Sequence, residues 1–134
     1  MVIADDHEPI RERLRRLLSP KCRIAGTAAD GAELIAICRE QRPEVVISDI
    51  LMPGVSGLEA LRLLRGELPG IKVIFVSELL DPSVIEEAIR GGAAGFVAKC
   101  HAAEDLPVAL DEVLRGGSFI SPACIRSHNA APPK

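Results

Sequence analysis

Val45-Val46-Ile47-Ser48-Asp49-Ile50-Leu51-Met52-Pro53-Gly54 is the stretch that decides the fold. Its apolar, β-branched start reads as a short strand covered on both faces, the pattern of a parallel sheet. The strand runs into an acid, and Pro53-Gly54 forces a turn just beyond it. The same arrangement recurs outward in both directions. Val2-Ile3-Ala4 runs into Asp5-Asp6, Val73-Ile74-Phe75-Val76 into Ser77, and Gly95-Phe96-Val97-Ala98 into Lys99. Helical segments separate these runs, so the chain predicts parallel strands joined by crossover helices. Parallel strands share one carboxyl edge, where open α/β sheets bind ligands. Asp5, Asp6, Asp49, Ser77 and Lys99 are therefore expected to meet there.

The helices are delimited by their caps. The first follows Asp6, with Pro9 in an early position and Ile10, Leu14, Leu17 and Leu18 on one face, and Ser19-Pro20 stops it. A second strand is expected over about Cys22 to Thr27. Asp30 and Glu33 open the second helix and Pro43 ends it. Ser56 and Glu59 form a capping box for the third, which Gly66 closes. Asp81-Pro82 starts a short fourth helix ended by Gly91-Gly92; at that length it is the least anchored. The last helix is expected from about Glu104 to Arg115.

With 134 residues, 48% of them hydrophobic, the chain is long enough for one domain with a sizeable core. A net charge of −3 does not suit a domain that binds nucleic acid by itself. No run of apolar residues is long enough to span a membrane, and Asp5-Asp6 come too early for a secretory leader. Cys22, Cys38, Cys100 and Cys124 are widely spaced, which suits reduced thiols and a cytoplasmic protein. Residues 1–122 read as the domain, and 123–134 as a flexible tail or truncated linker.

Three carboxylates at one edge repel each other unless a cation offsets them. Hard oxygen ligands suit Mg²⁺, which binds through one or two carboxylates together with phosphate oxygens. Lys99 can set a compact charge against a carboxylate or a phosphoryl oxygen, and Ser77 can donate a hydrogen bond to another. A carboxylate so flanked can act as a nucleophile toward phosphorus.

These pieces (Ile3-Ala4-Asp5-Asp6-His7, Ser48 to Gly54, Val76-Ser77 and Gly95 to Lys99) resemble the receiver domain of bacterial two-component response regulators. Gly57-Leu58-Glu59-Ala60-Leu61 and the ending Gly116-Gly117-Ser118-Phe119-Ile120-Ser121-Pro122 are similar to the subfamily that carries a LuxR-type (NarL/FixJ-like) helix-turn-helix. The resemblance implies a flavodoxin-like, doubly wound, five-stranded parallel sheet in the order 2-1-3-4-5 with helices on both faces. It implies that Asp49 is the phosphoacceptor and that Asp5, Asp6, Asp49 and the Leu51 backbone carbonyl hold Mg²⁺. It implies that Lys99 and Ser77 contact the phosphoryl group and that Phe96 is the aromatic that turns inward with Ser77 on activation. The implied role is that of a phosphorylation-controlled switch rather than an enzyme. Its partners would be a sensor histidine kinase, a second copy in a homodimer, and DNA through an output domain absent from this chain. A stand-alone or degenerate receiver acting by protein contact is the alternative.

Two other classes fit less well. An aspartyl-phosphate phosphatase would want an Asp where Leu51 stands. A nucleotide or flavin module would want a Gly-rich or Ser/Thr-rich loop where the acidic Asp6-His7-Glu8-Pro9 stands. Several positions depart from the family pattern. Glu78 stands where a small residue is usual and could impair phosphoryl access. Leu51 and Leu79 replace polar residues that help position water, so the phosphoryl group is expected to leave Asp49 slowly. Cys100 replaces a common proline and is a candidate redox modulator. His7 reads as a helix-start surface residue, and His101 and His128 as ordinary surface residues.

Overall fold

The computed structural model describes residues 1–124. Six parallel strands form one sheet: β1 (Val2–Ala4), β2 (Gly26–Ala28), β3 (Val45–Ser48), β4 (Lys72–Ser77), β5 (Gly95–Ala98) and β6 (Phe119–Ile120), in the order β2-β1-β3-β4-β5-β6. Helices α1 (Glu8–Leu18), α2 (Gly31–Gln41), α3 (Gly57–Glu67), α4 (Pro82–Arg90) and α5 (Ala102–Leu114) connect them. The expected order of five strands holds, with one addition. β6 pairs parallel to β5, Gly95 opposite Phe119 and Phe96 opposite Ile120. Two residues are too few for a periodic pattern, so the sequence carried no signal for this strand.

Strand residues alternate between two apolar layers, as the pleat requires. Val2, Ala4, Val46, Val73, Phe75, Phe96 and Ala98 pack in one layer with residues of α2, α3 and α4. Ile3, Val45, Ile47, Ile74, Val76 and Val97 pack in the other with residues of α1 and α5. Covering both faces explains why the strands read as unbroken apolar runs.

Several boundaries moved for identifiable reasons. The expected second strand began at Cys22, but Lys21 and Cys22 N–H donate to the Leu18 carbonyl and continue the turn after α1. Pairing with the chain start begins where the Met1 ammonium donates to the Arg23 carbonyl at 2.9 Å and Ala25 N–H donates to the Met1 carbonyl at 2.7 Å. The third helix passes through Gly66 to Glu67, with Leu68 as its cap. A single 3-10 turn, Lys99–His101, leads into α5, which starts at Ala102 rather than Glu104. Cys124 is buried in the first layer, so the packed body extends past residue 122; the rest of the tail, residues 125–134 and His128 among them, lies outside the described residues.

The predicted caps form. Asp30 Oδ1 accepts from Glu33 N, Asp81 Oδ1 from Ser83 N, and Ser56 and Glu59 make the reciprocal capping box of α3. Gly57, the first residue of α3, lies against the exit of β3. A Cβ there would stand 2.3 Å from the Asp49 carbonyl oxygen and 2.9 Å from the Phe75 ring. Gly57→Ala should lower stability by about 1–3 kcal/mol, because backbone rather than a flexible side chain would have to yield. Urea unfolding measures this.

Candidate functional site

The ladder delivers its acids to one edge. Asp49 N–H donates to the Ala4 carbonyl and Asp5 N–H to the Ala28 carbonyl, so both residues leave the sheet at neighbouring points. Each strand stops there because the pairing stops, and the next side chains face the cavity. Asp6, His7, Asp49, Leu51, Ser77, Glu78, Leu79 and Lys99 line a cavity of about 180 Å³. Asp5 lies beneath it, 1% exposed. The five groups expected to meet at this edge therefore do so.

Lys99 ties the site together. Its Nζ donates to Asp5 Oδ2 and to Asp49 Oδ2, each at 3.0 Å. The second oxygen of Asp5 accepts from His7 N–H at 2.9 Å, and that of Asp49 accepts from Leu51 N–H at 3.3 Å. Ser77 Oγ accepts from Leu79 N–H at 3.0 Å, which leaves its own proton free to donate into the cavity. The Asp49 side chain is 9% exposed, so it is partly desolvated yet reachable.

Burial pushes the Asp49 carboxyl up, the Lys99 ammonium pulls it back, and Asp5 pushes it up again; the balance lies above the ordinary carboxylate value. Burial alone would lower the Lys99 ammonium, but hydrogen bonds and charge from Asp49 and Asp5 outweigh it and hold the group above its usual value.

A carboxyl raised in the folded state binds its proton more tightly there than in the unfolded chain. Its ionised form then costs stability above the raised value, and the cost fades as pH falls through the window down to the ordinary carboxylate value. Asp49→Asn in metal-free buffer should therefore raise the melting temperature at neutral pH. The gain should vanish below the ordinary carboxylate range, as scanning calorimetry across pH would show.

The site's hard oxygens suit a divalent cation in kind. Asp5, Asp6 and His7 each place one candidate ligand atom within 4.8 Å of the other two. Asp5 and Asp6 are predicted from the sequence as metal ligands, and Asp49, predicted with them, falls outside this group; the third member, His7, is not predicted. It is the exposed surface residue predicted at the start of α1, but its Nδ1 also lies 3.2 Å from Asp6 Oδ1 and 3.4 Å from Asp5 Oδ1, at the cavity rim. Its position directly after the acid pair was the available signal.

Phe96 is not in the cavity. It is fully buried behind it, in register with Phe75, their ring centroids 6.4 Å apart and the rings tilted at 58°. Its ring is thus already inward in this structure. Leu51 and Leu79 are 59% and 36% exposed at the rim, and Glu78 is exposed beside them. Cys100 is exposed, and His101 lies near Glu104 at 3.8 Å. No helix among the described residues is long and apolar enough to cross a membrane.

Comparison with known proteins points one way. The family model described as the response regulator receiver domain matches residues 1–111. The chain is 33% identical over 124 residues to the response regulator GacA of Pseudomonas aeruginosa, covering 91% of this chain and 58% of that protein. It thus spans little more than half the length of that relative. Among solved structures, a LuxR-family two-component response regulator from an Aurantimonas species superposes with a TM-score of 0.90 at 28% identity, over 96% of this chain and 94% of that one. The RcsB response regulator of Salmonella typhimurium, solved in connection with its DNA interaction, gives 0.88 at 25% identity, over 96% and 65%.

Proposed function

Because the chain belongs to the response regulator receiver domain family, a family of phosphorylation-controlled signalling switches, we propose that Asp49 is the residue that takes the phosphoryl group. The observation that carries this reading is the Lys99 ammonium held at 3.0 Å from Asp49 Oδ2 inside a cavity that also holds the Ser77 hydroxyl. The donor is a phosphohistidine on a sensor histidine kinase. An Asp49 oxygen attacks phosphorus, the phosphorus–nitrogen bond breaks, and its electron pair returns to the leaving imidazole. The Lys99 ammonium is placed to pair with one phosphoryl oxygen and the Ser77 proton to bond another.

Asp5 and Asp6 would hold Mg²⁺, with Asp49 and the Leu51 carbonyl as further ligands. Bound there, the cation supplies charge neutralisation for the acids and for the incoming phosphoryl oxygens. When Lys99 and Ser77 turn toward a phosphoryl group, β4, which ends at Ser77, and β5, which leads into Lys99, carry the change to Phe96 and to α4, at nine residues the shortest of the helices α1 to α5. The receiver thereby controls a LuxR-type DNA-binding output and pairs with a second copy, in the cytoplasm. A receiver that works through protein contact alone is the second reading, favoured by the exposed carboxylate of Glu78 at the rim.

The test is incubation with a small acyl phosphate and Mg²⁺, followed by intact mass and peptide mapping. One phosphoryl group on Asp49, absent when a chelator is added, is the expected result. No adduct under any condition would leave the protein-contact reading in its place. The apolar rim carries a further expectation. Leu51→Asn adds a group that can orient water beside Asp49, so the phosphoryl lifetime should shorten about tenfold. A lifetime in the variant equal to or longer than that of the wild type would count against water exclusion by Leu51.

A further inference from the structure

The last rung of the sheet is made by a side chain. β6 ends at Ile120, and Ser121 N–H donates to the Phe96 carbonyl at 2.9 Å. The Ser121 carbonyl, which would extend the ladder, accepts instead from Cys124 N–H at 2.9 Å as the chain turns out of the sheet. Ala98 N–H is met by the Ser121 hydroxyl at 3.1 Å. That hydroxyl gives its own proton to Asp105 Oδ2, in the first turn of α5, at 2.6 Å. Ser121 and Ala98 are both 0% exposed, so neither group can turn to water. The place asks for one atom that accepts and donates at once, which a hydroxyl does.

This clasp stands one peptide from the site. Ala98 precedes Lys99 and lies in register with Ser77, the two residues assigned to the phosphoryl oxygens. Lys99 then enters a single 3-10 turn, its carbonyl accepting from Ala102 N–H. Losing the hydroxyl leaves the Ala98 N–H buried without an acceptor, a state that proteins avoid by shifting backbone. We propose that Ser121, oriented by Asp105, is a positioning residue that sets where Lys99 presents its ammonium to Asp49. The proposal rests on Asp49 as phosphoacceptor.

The experiment compares Ser121→Ala, Asp105→Ala and Asp105→Asn with the wild type, using a small acyl phosphate and Mg²⁺. An asparagine at 105 keeps an oxygen that accepts from Ser121, whereas alanine does not. Ser121→Ala and Asp105→Ala should form the adduct about tenfold more slowly at saturating donor, with half-saturation unchanged, while Asp105→Asn stays close to wild type. A merely structural role would not split the Asp105 pair in rate alone. Wild-type rates in both alanine variants, or equal slowing in Asp105→Asn and Asp105→Ala, would overturn the proposal. If Ser121→Ala does not fold, the Asp105 pair decides. Should the wild type itself gain no phosphoryl group, it is the phosphoacceptor reading that fails. The positioning claim is then judged by the nitrogen resonance of the Lys99 ammonium, which must shift in Asp105→Ala and not in Asp105→Asn.

Discussion

Asp49→Ala should take up no phosphoryl group from a small acyl phosphate at any Mg²⁺ concentration, while the wild type gains one. No neighbouring acid can stand in for it. Asp5 is 1% exposed, with one oxygen bonded to His7 N–H and the other to Lys99. Asp6 is nearer the surface, but its Oδ1 lies against the His7 imidazole, away from the lysine bridge. Phosphoryl transfer needs a nucleophile aligned with the groups that neutralise the developing charge, and only the Asp49 oxygen shares both the cavity and the ammonium among the described residues. The loss should therefore be complete rather than partial. The alanine variant should stay folded, since its removal relieves a partly buried charge, and circular dichroism beside intact mass checks both points. Adduct on the variant at the wild-type level would refute Asp49 as the acceptor.

Phe75→Ala should cost about 3–5 kcal/mol of stability, a large share of what a domain of this kind has in reserve. Phe75 is fully buried at the centre of the sheet, in register with Ser48 on one side and Phe96 on the other. Its ring fills the space between Gly57 and Phe96, so truncation opens a cavity directly behind the Asp49 turn. The neighbours cannot collapse into it easily, because Gly57 has no side chain to move and its N–H is held to the Ile50 carbonyl at 2.7 Å. Urea unfolding at fixed pH measures the change. A loss below about 1 kcal/mol would show that the ring does not carry the packing assigned to it.

The legible parts of this chain are those written in contiguous residues. Val45 to Asp49 and its three counterparts announce buried strands with a polar end, because covering both faces forces unbroken apolar runs. The caps at Asp30, Ser56 and Asp81 are equally local. β2 was misplaced because an edge strand of Gly26, Thr27 and Ala28 is half exposed and has no strong pattern. β6 was invisible at two residues. Within the site, residue types and strand ends foretold which groups would meet, but not that one lysine would bridge Asp5 and Asp49. That bridge spans 94 and 50 residues of sequence and exists only after the sheet has formed. The clasp of Ser121 on Asp105 and Ala98 is of the same kind, since nothing in Phe119-Ile120-Ser121-Pro122 says where the hydroxyl will point.

The chain holds three phenylalanines and neither tryptophan nor tyrosine. Phe75, Phe96 and Phe119 fall on three adjacent strands, β4, β5 and β6, at the end of the sheet nearest Lys99 and the departing chain. The protein is consequently almost silent in the near ultraviolet, and a tryptophan introduced at any chosen position becomes its sole strong fluorophore. Fluorine-labelled phenylalanine would give a three-line spectrum in which each resonance belongs to one strand, so a change spreading outward from the site could be timed strand by strand.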